Sequence, residues 1–232
     1  MGDPTGTHPY YPVDASIPHY RPNESSHVVF LAAFGGIILA AVSSVWAIVR
    51  LIRPSLRAGD QLCVVWFALC GFLHCFFEGY FVYNHATLAG SQSIFGQAWK
   101  EYTLSDSRYL TSDPFMLCVE AITVAVWGPL CWAIVAAIAA RSPVRHPLQI
   151  VMCVGHLYGV ALYYSTSLTE RAMTGTMHSR PEFLYFWVYY VGFNAPWVVV
   201  PGVLLVQSFK AGARAFAAME REDATEEVKK KR

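Results

Sequence analysis

His74 and Glu78 stand four residues apart inside the otherwise apolar run CVVWFALCGFLHCFFEGYFVY, and Glu120 stands inside PFMLCVEAITVAVWGPLCWAIVAAIAA. Four residues is about one helical turn, so the imidazole and the carboxyl share a face. They read as a general acid with its orienting partner, or as a structural hydrogen bond holding helices together. Glu120, Thr123 and Trp127 follow one another at spacings of three and four, again on one face. A carboxyl in apolar surroundings suits acid–base work, or is a neutral group hydrogen-bonded to a neighbouring helix. Asn194 and Trp197 are three apart in FNAPWVVVPG. The amide could orient a carboxyl, and an indole face could stabilise a cation, or else simply pack. Pro196 and Pro201 are expected to kink that segment and free backbone carbonyls.

The elements that must position these groups are membrane helices. The chain has 232 residues, 55% hydrophobic and only 14% charged, where a soluble domain carries about 25%. Charges at membrane depth cost a few kcal/mol each, so a chain that keeps them there is expected to use them. Net charge +1 says nothing about nucleic acid, but no basic stripe with interleaved aromatics is present, and no nucleic-acid partner is expected. Cys63, Cys70, Cys75, Cys118, Cys131 and Cys153 lie in apolar segments without a CxxC pair and read as buried membrane thiols.

Five runs approach the roughly 20 apolar residues of a span, at about 29–50, 61–83, 114–140, 147–167 and 184–208. The fourth is the weakest because it carries Gly155 and His156. The fold class is therefore all-α, a five-helix transmembrane bundle enclosing an apolar ligand cavity. Residues 1–28 form a polar lumenal segment without a cleavable leader pattern, 29–208 the membrane domain, and 209–232 a basic tail. Twelve of the 17 Lys and Arg fall on the side of the tail, which places the C-terminus in the cytosol and the N-terminus in the lumen. The terminal KKKR resembles a dilysine signal for retrieval to the endoplasmic reticulum, or is a basic tail drawn to lipid. Asn23-Glu24-Ser25 is a formal glycosylation sequon, expected to go unused so near the membrane.

Other chemistries lack their residues. A His and a Glu four apart are too sparse for a metal site, and no HxxH box appears. GxGxxG, Walker A and GxSxG motifs are missing, so neither nucleotide nor nicotinamide cofactor is expected. No inverted repeat points to a transporter built from two halves.

The apolar run around His74, together with WKEYTLSDSRY, CVEAITVAVWGPL, GHLYGVALYY and YFWVYYVGFNAPWVVVPGVLL, resembles the emopamil-binding protein family, the sterol Δ8–Δ7 isomerases of the wider EXPERA group. The likeness covers about residues 61–207 in order and spacing, and HPYYP at 8–12 is similar to that family's N-terminal segment. It implies five helices in the endoplasmic reticulum membrane and movement of the ring-B double bond of a sterol. By motif it implies a site of His74, Glu78, Glu120, Thr123, Asn194 and Trp197. We add Tyr109 and Trp127 to Thr123 as residues expected on the substrate. The family pattern has Gln where His156 stands and an acid where Val160 stands, which leaves the fourth helix's part in the site open.

The residue chemistry agrees with that implication. Shifting a double bond changes no oxidation state overall and calls for no cofactor or metal. It calls for a proton donor at carbon 9, an acceptor for the proton of carbon 7 and a group to stabilise the cation between them. The expected partners are a sterol, membrane lipids and, as inhibitors, lipophilic cationic amines; a homodimer stays open. The rivals are a non-catalytic sterol- or amine-binding protein and a proton-coupled transporter, which would want polar residues along several whole helices.

Overall fold

A computed structural model describes residues 8–231. Among the described residues five helices are long and apolar enough to cross a membrane: α1 (His27–Ile52), α2 (Ala58–Asn84), α4 (Pro114–Ala139), α5 (Arg145–Thr174) and α6 (Leu184–Lys230), with the short α3 (Ile94–Tyr102) in the long connection. No strand occurs among the described residues. The protein is multi-pass and all-helical.

Local chemistry sets the boundaries. Pro54 follows the end of α1, where it cannot continue the helix. Asp113 accepts from Met116 N at 2.9 Å with Pro114 at the first helical position, so α4 begins with its orphan donors partly satisfied. Ser93 does the same for α3 through Gly96 N at 3.0 Å. Gly175, at φ +77°, closes α5 in the left-handed region.

The spans pack as α1 on α2, α2 on α4, α4 on α5 and α5 on α6. Tight approach of α2 and α4 requires glycine. A Cβ on Gly71 would stand 2.8 Å from the Trp132 indole, and one on Gly128 would stand 2.4 Å from Cys75 Sγ. Without a hydrophobic drive between helices in lipid, such close contact is what holds them. Phe67, Cys70, Cys131, Ile134 and Met152 fill the core between them. Helix α1 stays peripheral, its apolar side chains mostly facing outward. Among the cysteines, Cys118 is exposed rather than buried.

The polar connection at 84–113 folds inward as a cap. Arg108 grips Asp106 (Nη2 to Oδ2, 2.6 Å; Nε to Oδ1, 3.0 Å) and donates through Nη1 to Thr166 of α5 at 3.0 Å. Lys100 Nζ donates to the Arg21 carbonyl at 2.7 Å, and Tyr10 donates to the Lys100 carbonyl at 3.0 Å. The segment before α1 thereby straps the cap down, and a second aromatic core of Tyr10, Phe81, Trp99 and Tyr109 lies beneath it. Helix α6 does not stop near 208. It continues as an exposed helix to Lys230, with Glu226–Lys230 and Glu227–Lys231 pairs on its surface. Arg232, the last residue of the KKKR run, lies outside the described residues.

Candidate functional site

Three of the long helices leave α-geometry over part of their length. Leu73–Glu78 of α2, Thr123–Trp127 of α4 and Leu184–Gly192 of α6 are π-helical. A π-turn widens the helix, releases backbone groups and is frequent at functional sites. Here the first contains His74 and Glu78, the second contains Thr123 and Trp127 and follows Glu120, and the third precedes Asn194. Around them lies a cavity of about 540 Å³.

His74, Glu78, Glu120, Thr123, Trp127, Asn194, Trp197 and Tyr109 all line this cavity. His74 is 4% exposed and Glu120 8%. Glu78 is partly buried and shares its surroundings with Glu120. His74 Nδ1 stands 2.8 Å from Glu78 Oε2 and 3.0 Å from Oε1. A carboxylate only accepts, so Nδ1 carries the proton and Nε2 is left to act. Nε2 meets His156 Nε2 of α5 at 2.9 Å.

Tyr109, expected on the substrate, donates instead to Glu120 Oε1 at 2.9 Å. Burial, and next the Glu120 carboxyl, push the Tyr109 phenol above its ordinary range, so it remains a donor at neutral pH. Asn194 does not reach a carboxyl either. Its amide nitrogen donates to the Tyr190 carbonyl at 2.8 Å, in the turn at 193–195 that separates the π-helical stretch from Pro196. That carbonyl also accepts from Tyr164 at 3.1 Å, so backbone freed by the break finds side-chain partners, as membrane depth requires. Thr123 donates to the Val119 carbonyl at 2.9 Å. Trp197 tilts against Trp66, with ring centroids 5.4 Å apart. Trp127 lies on Gly155, where a Cβ would come within 3.0 Å of the indole.

Two residues of α5 join the site: His156, whose part the sequence left open, and Tyr163, which the sequence did not single out. His156 is buried and completes the chain Glu78–His74–His156, while its own Nδ1 has no partner among the described residues. Tyr163 lines the cavity nearer the cap, with an unpartnered hydroxyl. The signal for His156 was present, because it too is an ionisable group inside a span.

One atom each from Cys70, His74 and His156 lie within 4.8 Å of one another, a donor set suited to a soft ion. Two imidazole nitrogens on one tetrahedral zinc ion stand about 3.3 Å apart. At 2.9 Å the rings bond directly to each other.

A multi-pass bundle of five apolar helices around a polar-edged apolar cavity defines the class of this protein. It belongs to the EXPERA family, the expanded EBP superfamily, whose model matches residues 94–208. It is 38% identical over 207 residues to the 3-beta-hydroxysteroid-Delta(8),Delta(7)-isomerase of Rattus norvegicus, covering 88% of this chain and 87% of that one. It is likewise 38% identical over 205 residues to the protein of the same name in Cavia porcellus, covering 88% of each. With an isomeliandiol synthase of Melia azedarach it shares 31% identity over 182 residues, 78% of this chain and 83% of that one.

Proposed function

We propose that this protein is a sterol Δ8–Δ7 isomerase of the endoplasmic reticulum membrane, with the cavity between its helices as the active site. The observation that carries the reading is the meeting of two carboxyl groups and an imidazole on the wall of one apolar cavity. The names of the mammalian relatives support the same reaction class.

A proton from the site adds to carbon 9 of the Δ8 sterol. The π electrons of the 8,9 bond form the new C–H bond, and the cation sits at carbon 8. A base then takes the proton from carbon 7, and that bonding pair becomes the 7,8 double bond. Nothing is oxidised or reduced overall. The Glu78–His74 pair and Glu120 are the groups with protons to move, and Tyr109 fixes Glu120 in orientation. The Trp197 indole and a carboxylate stabilise the cation in surroundings of low dielectric. A site shaped for that cation takes lipophilic amines, whose ammonium carries the same charge. Glu78 holds the imidazole of His74 in one tautomer, and His156 engages its other nitrogen. The reading keeps 29–208 as the membrane domain, between a lumenal N-terminal segment and a cytosolic tail, with lipid on the outward apolar faces of α1 and α6.

Purified protein in heavy water is the test. A Δ8 sterol is expected to become a Δ7 sterol with deuterium at carbon 9, without added nucleotide or metal. Glu78→Gln and Glu120→Gln keep shape but cannot serve as acid or base, so whichever of the two residues fills such a role is expected to lose about 10²-fold or more in turnover. Ligand binding without conversion by the wild type would move the non-catalytic sterol-binding reading to first place.

A further inference from the structure

A proton-transfer site explains the polar groups at the level of His74, but not those at the cap end of the same cavity. Tyr163 is 8% exposed, lines the cavity, and has a hydroxyl with no hydrogen-bond partner among the described residues. An unpartnered buried hydroxyl is uncommon and calls for a missing partner. The ring cannot easily swing away to find one. The Arg108 guanidinium carbon lies 5.3 Å from its centroid, on a side chain itself fixed by Asp106 and Thr166, and the Tyr190 ring packs at 5.3 Å. Tyr102, also on the cavity wall, is its polar neighbour, near enough to interact but outside hydrogen-bond geometry.

The spacing along α5 matters. His156 and Tyr163 are seven residues apart, hence on one face and about 10.5 Å apart along the axis. His156 marks the depth of the imidazole pair. In a fused-ring sterol, bonds of about 1.5 Å put the reacting carbons of ring B about 6 Å from a hydroxyl oxygen on ring A. One hydrogen bond at the hydroxyl end and one polar contact at ring B extend that to roughly 12 Å. The distance between the two levels is the length of a hydroxylated A and B ring pair. Below it the wall is Trp127, Gly155, Pro196 and Trp197, suited to apolar rings and tail.

We propose that the Tyr163 hydroxyl is the subsite for the ring-A hydroxyl of a 3-hydroxysterol, with Tyr102 beside it, so that the substrate enters ring A toward the cap. The proposal rests on the isomerase reading and adds the substrate's orientation and the basis of its preference for a hydroxylated sterol. Tyr163 acts on binding, because its hydroxyl touches an atom that does not react.

The test compares 5α-cholest-8-en-3β-ol with cholest-8-ene, which lacks only the hydroxyl. Binding to purified full-length protein is followed by quenching of tryptophan fluorescence, and turnover is followed in parallel. Tyr163→Phe keeps the ring and its packing. It is expected to weaken the hydroxysterol about tenfold, the scale of one lost hydrogen bond, and the deoxy compound less than twofold. Equal losses for both ligands, or no loss for the hydroxysterol, would overturn the assignment. A hydroxyl-selective loss in Tyr102→Phe but not in Tyr163→Phe would also overturn it. Lack of turnover by the wild type would defeat the isomerase reading while leaving the binding comparison legible.

Discussion

Replacing His156 tests the hydrogen-bonded chain at the centre of the site. Its Nε2 lies 2.9 Å from His74 Nε2, and both rings are almost wholly buried, at 6% and 4% exposure. His156→Leu fills similar space but offers no polar atom. The His74 nitrogen then loses its partner where water does not replace it, at a cost of about 1–3 kcal/mol. If the imidazole gains charge as the reaction proceeds, that cost falls on the transition state and lowers kcat by about 5- to 150-fold. His156→Gln can donate and accept from one side chain, so most of the rate is expected to return. The assay is conversion of a Δ8 sterol by purified protein, with the thermal midpoint in the same detergent recorded for each variant. A leucine variant with full kcat, or a glutamine variant as slow as leucine at equal stability, would refute the reasoning. The second result would mean that ring shape, not the hydrogen bond, is what His156 supplies.

Four further outcomes are expected. Trp197→Ala should weaken binding of a protonated lipophilic amine more than binding of a neutral sterol of similar size, because only the amine uses the charge on the ring face; competition binding measures both, and equal losses would reduce Trp197 to packing. Gly155→Ala should push the Trp127 indole, 3.0 Å from the new Cβ, into the cavity and weaken sterol binding severalfold, read by the same assay, while destabilising the fold by about 1–3 kcal/mol. A glycosylation acceptor placed in the connection at 84–113 should be modified in microsomes, whereas one added at the C-terminus should not; the opposite pattern reverses the orientation. Lys100 concerns pH: burial, and next the Arg21 charge, lower its pKa from 10.5 to about 8. Between those values the unfolded chain binds a proton that the folded chain does not, so stability should rise with pH across that window, and Lys100→Met should flatten the rise in thermal midpoints.

The five spans were legible because hydrophobic length is a one-dimensional property and bilayer thickness fixes it. Three of the five begin and end within a few residues of the expected positions, and the fourth runs on past its apolar window to Thr174. The fifth runs on to Lys230, because a charged surface helix supported by pairs at i and i+4 needs no apolar face to continue. The co-location of His74, Glu78, Glu120, Thr123, Trp127, Asn194 and Trp197 on one cavity was anticipated from helix spacing and family resemblance. The partners of those groups were not. Nothing in spacing joins Tyr109 to Glu120 across the loop and helix start, or His74 to His156 across 82 residues. Such pairs depend on how helices rotate about their axes, which helical periodicity leaves undetermined. The expectation that Asn194 would orient a carboxyl failed for a related reason. The turn at 193–195 leaves the Tyr190 carbonyl without its helical donor, and that carbonyl takes the Asn194 amide.

The π-turns connect these points. An α-helical wall presents side chains every third or fourth residue, and its backbone polar groups are all engaged. Insertion of a wider turn shifts the register of the residues beyond it and leaves a carbonyl or a donor short of its partner. On α6 the released carbonyl is taken by Asn194 and Tyr164. On α2 the turn still carries His74 and Glu78 within hydrogen-bond distance, and on α4 it lets Trp127 cross to Gly155 of α5. In lipid each such break costs free energy unless neighbouring helices re-satisfy it. Three breaks facing one cavity therefore place the least regular backbone of the bundle where a ligand has to be gripped. The tightest crossing, where Gly128 meets Cys75, joins the middle of the α2 turn to the end of the α4 turn. The rigid crossing holds the two carboxyl-bearing helices in register, and the widened turns aim their side chains. Deletion of one residue within 123–127, which regularises the π-turn, should rotate Glu120 and Trp127 relative to one another. It should abolish turnover while leaving the five spans inserted, which separates aiming from folding.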